Sequence, residues 1–466
     1  MTLRPAPTNQ GFHVNRPNQN PEQSSLRELI ERLIFFAAVA FLLFIGGLMV
    51  ARLGWFPYPI VDDAVTAARA EAIRQGWINE EEAGATLVDG ERADTLAGVS
   101  FHDASLSAGG YTVYTSEIEE AAVMVDIAGN TVHRWSLSED KMREHFGAER
   151  VPDARRYGWR SFHLYPNGDF LAVVTRSKWT PYGFALVKVD KDSNVLWGNF
   201  GYAHHDVTVG EDGLIYAIGQ EIREDRIPDF DYLKPPILND FVLVVSDDGK
   251  TLHRISIIEA FVGTPFAKAF KQLVKGRDWK GDFLHVNAIE PYDSRNRIPI
   301  LRENEVLISI RNMDALATLN LGTGKITGLI IGSWRAQHDP DIVNGHIVLF
   351  DNRGDFARGS RSRVIEFDPV TQQITWQART GNGFDLYSGW GANQQVLDNG
   401  NVLVTEAAPG RVVELTRDGR AAWVFNSPGR SPVNPMRAPS LLEAKRYAPE
   451  SLSFEFNGQS KPQETP

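Results

Sequence analysis

There is no cysteine anywhere in the chain, and that absence removes several kinds of chemistry at once. Disulfide staples, thiolate nucleophiles and Cys-ligated zinc or iron–sulfur sites are all excluded. Positive charge is also in short supply: 48 Lys and Arg stand against 59 Asp and Glu, a formal net charge of -11. Nucleic-acid binding needs a basic face to meet phosphate, so no nucleic-acid partner is expected. No compact ligand pattern of the His-Glu-x-x-His kind occurs, and no glycine-rich phosphate loop is evident. The sequence therefore calls for neither a metal nor an organic cofactor.

One long apolar run stands out, the 19 residues from Leu33 to Ala51. Roughly 20 helical residues cross a bilayer core, whereas a cleaved signal has an apolar core of about 7–15 residues. No Ala-x-Ala cleavage pattern follows Ala51. An uncleaved anchor over 33–53 is the expectation. Arg4, Arg16, Arg27 and Arg32 precede the run, while Asp62, Asp63 and Glu80-Glu81-Glu82 follow it. The positive-inside rule then keeps the N-terminus in the cytoplasm. In a bacterium this makes a single-pass inner-membrane protein with its bulk in the periplasm. Residues 1–32 read as a disordered cytoplasmic tail, rich at first in Pro, Asn and Gln. Residues 54–95 read as a helical stalk, with a helix over 60–76 capped by Asp62 or Asp63 and ended at Gly76.

The stretch 96–430 is repetitive. Six segments share one order of strand, polar turn and second strand: Ala121–Trp135, Ala185–Trp197, Phe241–His253, Ala315–Gly328, Arg363–Trp376 and Arg411–Trp423. Each carries a turn-forming side chain at the same place, namely Asp126, Asp190, Ser246, Asn320, Asp368 or Thr416. A second hairpin precedes such segments, as in Phe162–Val174, His205–Ile218 and Gln395–Val404. Two hairpins make a four-stranded sheet, and six such sheets in series predict an all-β, six-bladed β-propeller. The excess between Ser256 and Asp282 reads as a helical insertion, and 431–466 as a C-terminal tail.

In a propeller the first strand of each blade lines the channel, and ligands gather at one of its mouths. His102, His163, His205 (preceded by His204), His285 and His338 all stand just before or at the start of such a strand. A repeated polar residue there is also what a purely structural backbone contact would require, and His102 and His163 are read that way. His285 and His338 keep different company. Asn287 lies two residues beyond His285, on the same side of a strand. The paired strand ends in Ser309-Ile310-Arg311, which delivers a guanidinium, a fork of donors suited to a tetrahedral oxyanion. His338 follows Gln337, and its blade's partner strand ends in Phe350-Asp351-Asn352.

On His205-Asp206, His285-x-Asn287, Ser309-Ile310-Arg311, Gln337-His338 and Phe350-Asp351-Asn352, the chain resembles the bacterial aryl sulfotransferases. These enzymes move sulfate between phenols without a nucleotide donor. The resemblance covers roughly 95–430. It implies that His338 is the transiently sulfated nucleophile and that His285, Asn287 and Arg311 hold the sulfuryl oxygens. It further implies that His205, or its neighbour His204, meets the phenolic oxygen, with Asn352 in the same substrate-binding set. An aryl sulfate donor and a phenolic acceptor are the partners it implies. The chain departs from the family's soluble, disulfide-bearing secreted members in its anchor and its lack of cysteine. It also has no room in 54–95 for an N-terminal β-sandwich. Two other readings of the same residues are a non-catalytic propeller that binds envelope proteins or polymers, and a quinoprotein-like oxidoreductase.

Overall fold

The computed structural model describes residues 21–53, 97–116, 119–152, 157–176, 180–230, 233, 235–274, 282–355, 361–378, 380–381, 384–429 and 438–456. Residues 1–20 and the stalk expected at 54–95 lie outside them. A helix spans Pro21–Leu53. It starts well inside the segment expected to be a disordered tail, and Arg27/Glu31 and Glu28/Arg32 have the i,i+4 spacing that favours such an extension. Its stretch Ile30–Gly47 has a mean hydropathy of 2.0 and buries nothing, and it is long and apolar enough to cross a membrane.

The second unit is a six-bladed β-propeller. Its outer hairpins are the six repeated segments, and their turn residues act as the pattern predicts. Asp126 accepts the Asn130 amide at 2.8 Å, Asp190 the Asn194 amide at 2.8 Å and Asp368 the Val370 amide at 2.8 Å. Ser246, Asn320 and Thr416 hold their turns in the same way. These bonds satisfy turn amides that no strand partner reaches.

The innermost strands are Leu441–Tyr447, Tyr157–Leu164, Ala203–Val209, Val286–Pro291, His338–Val343 and Asn393–Val396, in blade order. The first corrects the expectation of a C-terminal tail. Leu441–Tyr447 pairs antiparallel with Tyr111–Ser116 and completes the first blade. Its alternation hides Leu441, Glu443, Ala444 and Arg446, and Phe454 and Phe456 beyond it pack on the first two blades. His102 moves accordingly. It lies on Gly98–His102, a fifth, outermost strand of the sixth blade, where its Nε2 meets Ser107 Oγ at 2.9 Å. The insertion after Ser256 is helical as expected, over Ile257–Phe261 and Ala267–Val274, and stacks Phe261 on Phe270.

Hydrogen-bond register slips on the innermost strand of each of the first five blades. Bulges of this kind re-aim side chains, and here several reach across to the next blade. The Phe162 amide donates to Glu443 at 2.9 Å, the Ile289 amide to Asp206 at 2.9 Å and the Gln394 amide to Asp339 at 2.7 Å. Asn287 donates to the Gln337 carbonyl at 2.7 Å. Asp206, Glu290, Asp339, Asp341 and Lys445 then line a channel cavity of about 170 Å³. Burial pushes the carboxyl groups of Asp206, Glu290, Asp339 and Asp341 up, and neighbouring carboxylates push the last three up further.

Ring closure by the last strand makes a prediction. A chain ending at residue 437 leaves Tyr111–Ser116 as an unpaired edge. It should lose its cooperative thermal transition by circular dichroism, and a melt like that of the full chain would contradict the closure.

Candidate active site

His338 opens the innermost strand of the fifth blade, paired to Phe350. Its Nδ1 lies 3.0 Å from the Ala336 carbonyl and 2.7 Å from Asn352 Oδ1. The Asn352 amide cannot be turned round, because its nitrogen donates to the carbonyls of Ser388 at 2.8 Å and Gly391 at 3.3 Å. Both neighbours of Nδ1 are therefore acceptors, so Nδ1 carries the proton and Nε2 keeps its lone pair. Asn352 thus acts on the tautomer of His338 and is itself fully buried.

His285 is fixed by the same logic from a different residue. Its Nδ1 donates to Asp282 Oδ2 at 2.5 Å, leaving Nε2 as the outward nitrogen. Asp282's carboxyl sits below the usual range even though burial works against its charge, because His285 bonds to it. His285, just before its strand, adopts a left-handed backbone (φ 51), as does His205 (φ 58) at the irregular place on its own strand. The two rings meet edge to face with centroids 4.7 Å apart. Arg311 follows the adjacent strand, donates its backbone amide to the His285 carbonyl at 3.3 Å and rests its guanidinium on Asn312 Oδ1 at 2.7 Å.

His205 and its neighbour His204 differ in what they face, although their Nδ1 atoms lie 2.6 Å apart and both meet the Tyr182 hydroxyl. His205 faces His285, and the Tyr182 hydroxyl meets both of its nitrogens, Nε2 at 2.9 Å and Nδ1 more closely. His204 is completely buried, with Nε2 at 3.4 Å from Asp240 and Nδ1 at 3.1 Å from the Tyr182 hydroxyl. His204 supports the site from behind, and His205 is the member that turns toward the other histidines. Asn287 spends one amide hydrogen on Gln337, and its buried Oδ1 has no hydrogen-bond partner among the described residues. Gln337 is itself a spacer, donating to Ser309 and to the Ala315 carbonyl at 3.0 Å each. His163, set aside as structural, lines the channel cavity, and burial with Lys445 and Lys188 nearby pushes it down to about 4.

Electrostatics tie the cluster together. Burial first, then Arg160, His285, His338 and Arg311, push His205 well below the usual histidine range. For His338 the order is burial, then Arg311, with His285 and Arg160 adding to it and the Asn352 bond opposing. His205, His285, Arg311 and His338 are thus close enough to feel one another, and the site favours an anion and keeps His205 and His338 neutral. Tyr182, Asp282 and Arg160 complete it without forming any motif in the sequence. Among the described residues no group of three or more His, Asp or Glu could hold a metal ion.

A six-bladed ring with a buried anion-facing cluster of imidazoles and guanidinium at its inner strands is the class these observations define. The chain belongs to the arylsulfotransferase (ASST) family, whose sequence model matches residues 166–427. No curated protein matches the chain. Among solved structures, a protein of unknown function from Bacteroides caccae is similar at 11% identity and a TM-score of 0.45, covering 69% of this chain and 94% of that one. A streptogramin B lyase is similar at 11% identity and 0.36, covering 71% and 86%. A virginiamycin B lyase from Staphylococcus aureus is similar at 9% identity and 0.34, covering 59% and 71%. At these scores the likenesses fix neither substrate nor reaction.

Nitrogen spectra of histidine-labelled protein check the tautomer. His338 should show a protonated Nδ1 and a bare Nε2, and both His338 and His205 should stay neutral as pH falls through about 6.5, the ordinary histidine value. A lowered pKa means the charged form appears only at more acid pH. A His338 that protonates at or above that value, or carries its proton on Nε2, would contradict the geometry.

Proposed function

We propose that the chain transfers a sulfuryl group from an aryl sulfate to a phenol through His338, with no nucleotide donor. The observation that carries this reading is the locked tautomer of His338, whose bare Nε2 lies in a cluster with Arg311, His285 and His205. A neutral imidazole is a competent nucleophile, and a covalent sulfohistidine splits one hard transfer into two easier ones. In the first half, Nε2 of His338 attacks sulfur and the bond from sulfur to the phenolic oxygen breaks, its electron pair leaving with the phenolate. Arg311, the free hydrogen of Asn287 and, in the imidazolium form paired with Asp282, the Nε2–H of His285 donate to the sulfuryl oxygens, whose charge is redistributed in the transition state. In the second half, His205 takes the proton of the acceptor phenol as its oxygen attacks sulfur, and the bond from sulfur to Nε2 of His338 breaks, its electron pair returning to the imidazole. The depressed basicity of the unliganded site rises when a sulfate dianion or monoester occupies it, since the repulsion among the cationic forms is then offset.

The N-terminal helix supports a membrane anchor, with the N-terminus in the cytoplasm and the propeller in the periplasm, where exogenous aryl sulfates and phenols arrive. Membrane anchorage is a separate part of this reading and is tested by carbonate extraction of membranes.

Steady-state kinetics with 4-nitrophenyl sulfate and a phenol test the chemistry. Parallel double-reciprocal lines are expected, and His338→Asn should lower kcat by about a thousandfold or more, as loss of a covalent nucleophile does. Turnover of His338→Asn equal to wild type would remove His338 from the nucleophile's role. A stable envelope partner together with no turnover over a broad donor panel would favour the non-catalytic propeller instead.

A further inference from the structure

The second blade contributes a charged residue, Arg160, that has no part in the transfer at His338 or the proton transfer at His205. Arg160 lies in the irregular stretch of Tyr157–Leu164, between the pairs Trp159 with Val174 and Phe162 with Ala172. Phe162 resumes regular pairing two residues after Arg160, just as Val207 does two residues after His205 in the next blade. Arg160 and His205 therefore occupy the same step of neighbouring innermost strands. The backbone at Arg160 is pinned on both sides. Thr115 of the first blade donates to its carbonyl at 2.7 Å, and the Phe162 amide two residues on is held by Glu443.

The guanidinium itself is not used up by these contacts. Among the described residues no hydrogen bond or ion pair is made by the Arg160 side chain, although Glu443 acts on it electrostatically and partly offsets burial. Burial pushes Arg160 down to about 10, so it remains charged at neutral pH. A half-buried, unpaired guanidinium is costly unless an anion completes it. The shared strand step with His205 and the electrostatics together say where that anion sits. Arg160 is the strongest cationic influence on His205, while Arg311 holds that place for His338. Both arginines act on both histidines, but Arg311 leads at the nucleophile, and Arg160, at the same strand step as His205, leads at the histidine proposed to meet the phenol.

We propose that Arg160 is a second anion-binding group of this site, placed to hold the phenolic oxygen as it departs from or attacks sulfur. This inference rests on the transferase reading. When the bond from sulfur to oxygen breaks, the electron pair goes to the phenolic oxygen and the sulfuryl group passes to His338 Nε2. His205 is then neutral and has no proton to spare from an imidazolium, so the phenolate's charge falls to a permanent cation. Arg160 supplies that cation without a proton transfer, because a guanidinium stays protonated. In the reverse direction the same contact favours ionisation of the acceptor phenol as His205 removes its proton. The substrate class follows: with Arg160 in place, phenols that are poor leaving groups remain usable.

The test is a leaving-group series of aryl sulfates, from nitrophenyl to methylphenyl, run on the full chain in detergent with wild type, R160K and R160Q. In R160Q, kcat/KM should fall by about tenfold for the most acidic phenol and by about a thousandfold for the least acidic, so that dependence on phenol acidity steepens. R160K should recover part of the loss and give an intermediate slope, and it carries the comparison alone if R160Q does not fold. A uniform fall across the series, or none, would overturn the proposal, since a merely structural arginine has no reason to sense the leaving group. Should wild type turn over no aryl sulfate, the transferase reading fails by itself. Arg160 is then judged by calorimetric binding of 4-nitrophenyl sulfate. Binding about tenfold weaker in R160Q keeps Arg160 as an anion-binding group, and equal binding removes it.

Discussion

The pairing of Leu441–Tyr447 with Tyr111–Ser116 joins the two ends of the folded unit, and the positions of all the innermost strands depend on it. Each of those strands is too polar to be buried alone. Glu443, Asp206 and Asp339 survive in the interior because each accepts a backbone amide from the blade that follows it on the ring or lies beside it. A buried acceptor left without a donor costs about 1–3 kcal/mol, so the ring and its polar lining stabilise one another. The bulges that create these crossing bonds are also what turn His205, Arg160 and Asn287 away from ordinary strand positions.

The site inherits its precision from this frame. His338 is held by Asn352, and Asn352 by the carbonyls of Ser388 and Gly391 at the start of the sixth blade. His285 is held by Asp282, and His205 by Tyr182. His338 and His285 thus each present Nε2 because a neighbouring group has taken Nδ1, while His205 is held by Tyr182 at both nitrogens. Loss of such a contact would leave the fold standing and scramble the tautomer. The cluster is poised for an anion by sharing one small volume among Arg160, Arg311 and several imidazoles, with the carboxylates Asp282 and Asp240 kept behind the histidines they support.

Much of this was legible in the sequence, for a physical reason. Outer hairpins announce themselves through turn chemistry, and the residues Asp126, Asp190, Ser246, Asn320, Asp368 and Thr416 each bond to their own turn. His205, His285, Arg311 and His338 were traceable because each stands at a strand end whose place in the repeat is countable. The closing strand was not. Leu441-Leu-Glu-Ala-Lys-Arg-Tyr447 has no hairpin partner nearby in sequence, and its composition suits a helix as well as a strand. His102 was misplaced for the same reason, since without that strand the chain's first strand looks like the first blade's innermost one. Arg160 hides in Arg155-Arg156-Tyr-Gly-Trp-Arg160, where one more arginine attracts no notice. Only the register of Phe162 against Val207 sets it apart.

The central claim is that His338 Nε2 becomes bonded to sulfur. Rapid alkaline quench of the full chain after mixing with an aryl sulfate alone, followed by peptide mass spectrometry, measures this directly. The account predicts one added SO3 on the peptide containing His338 in wild type, removed by subsequent addition of a phenol and absent in His338→Asn. An SO3 carried by another residue, or turnover with no modified peptide under conditions that preserve sulfohistidine, would contradict it.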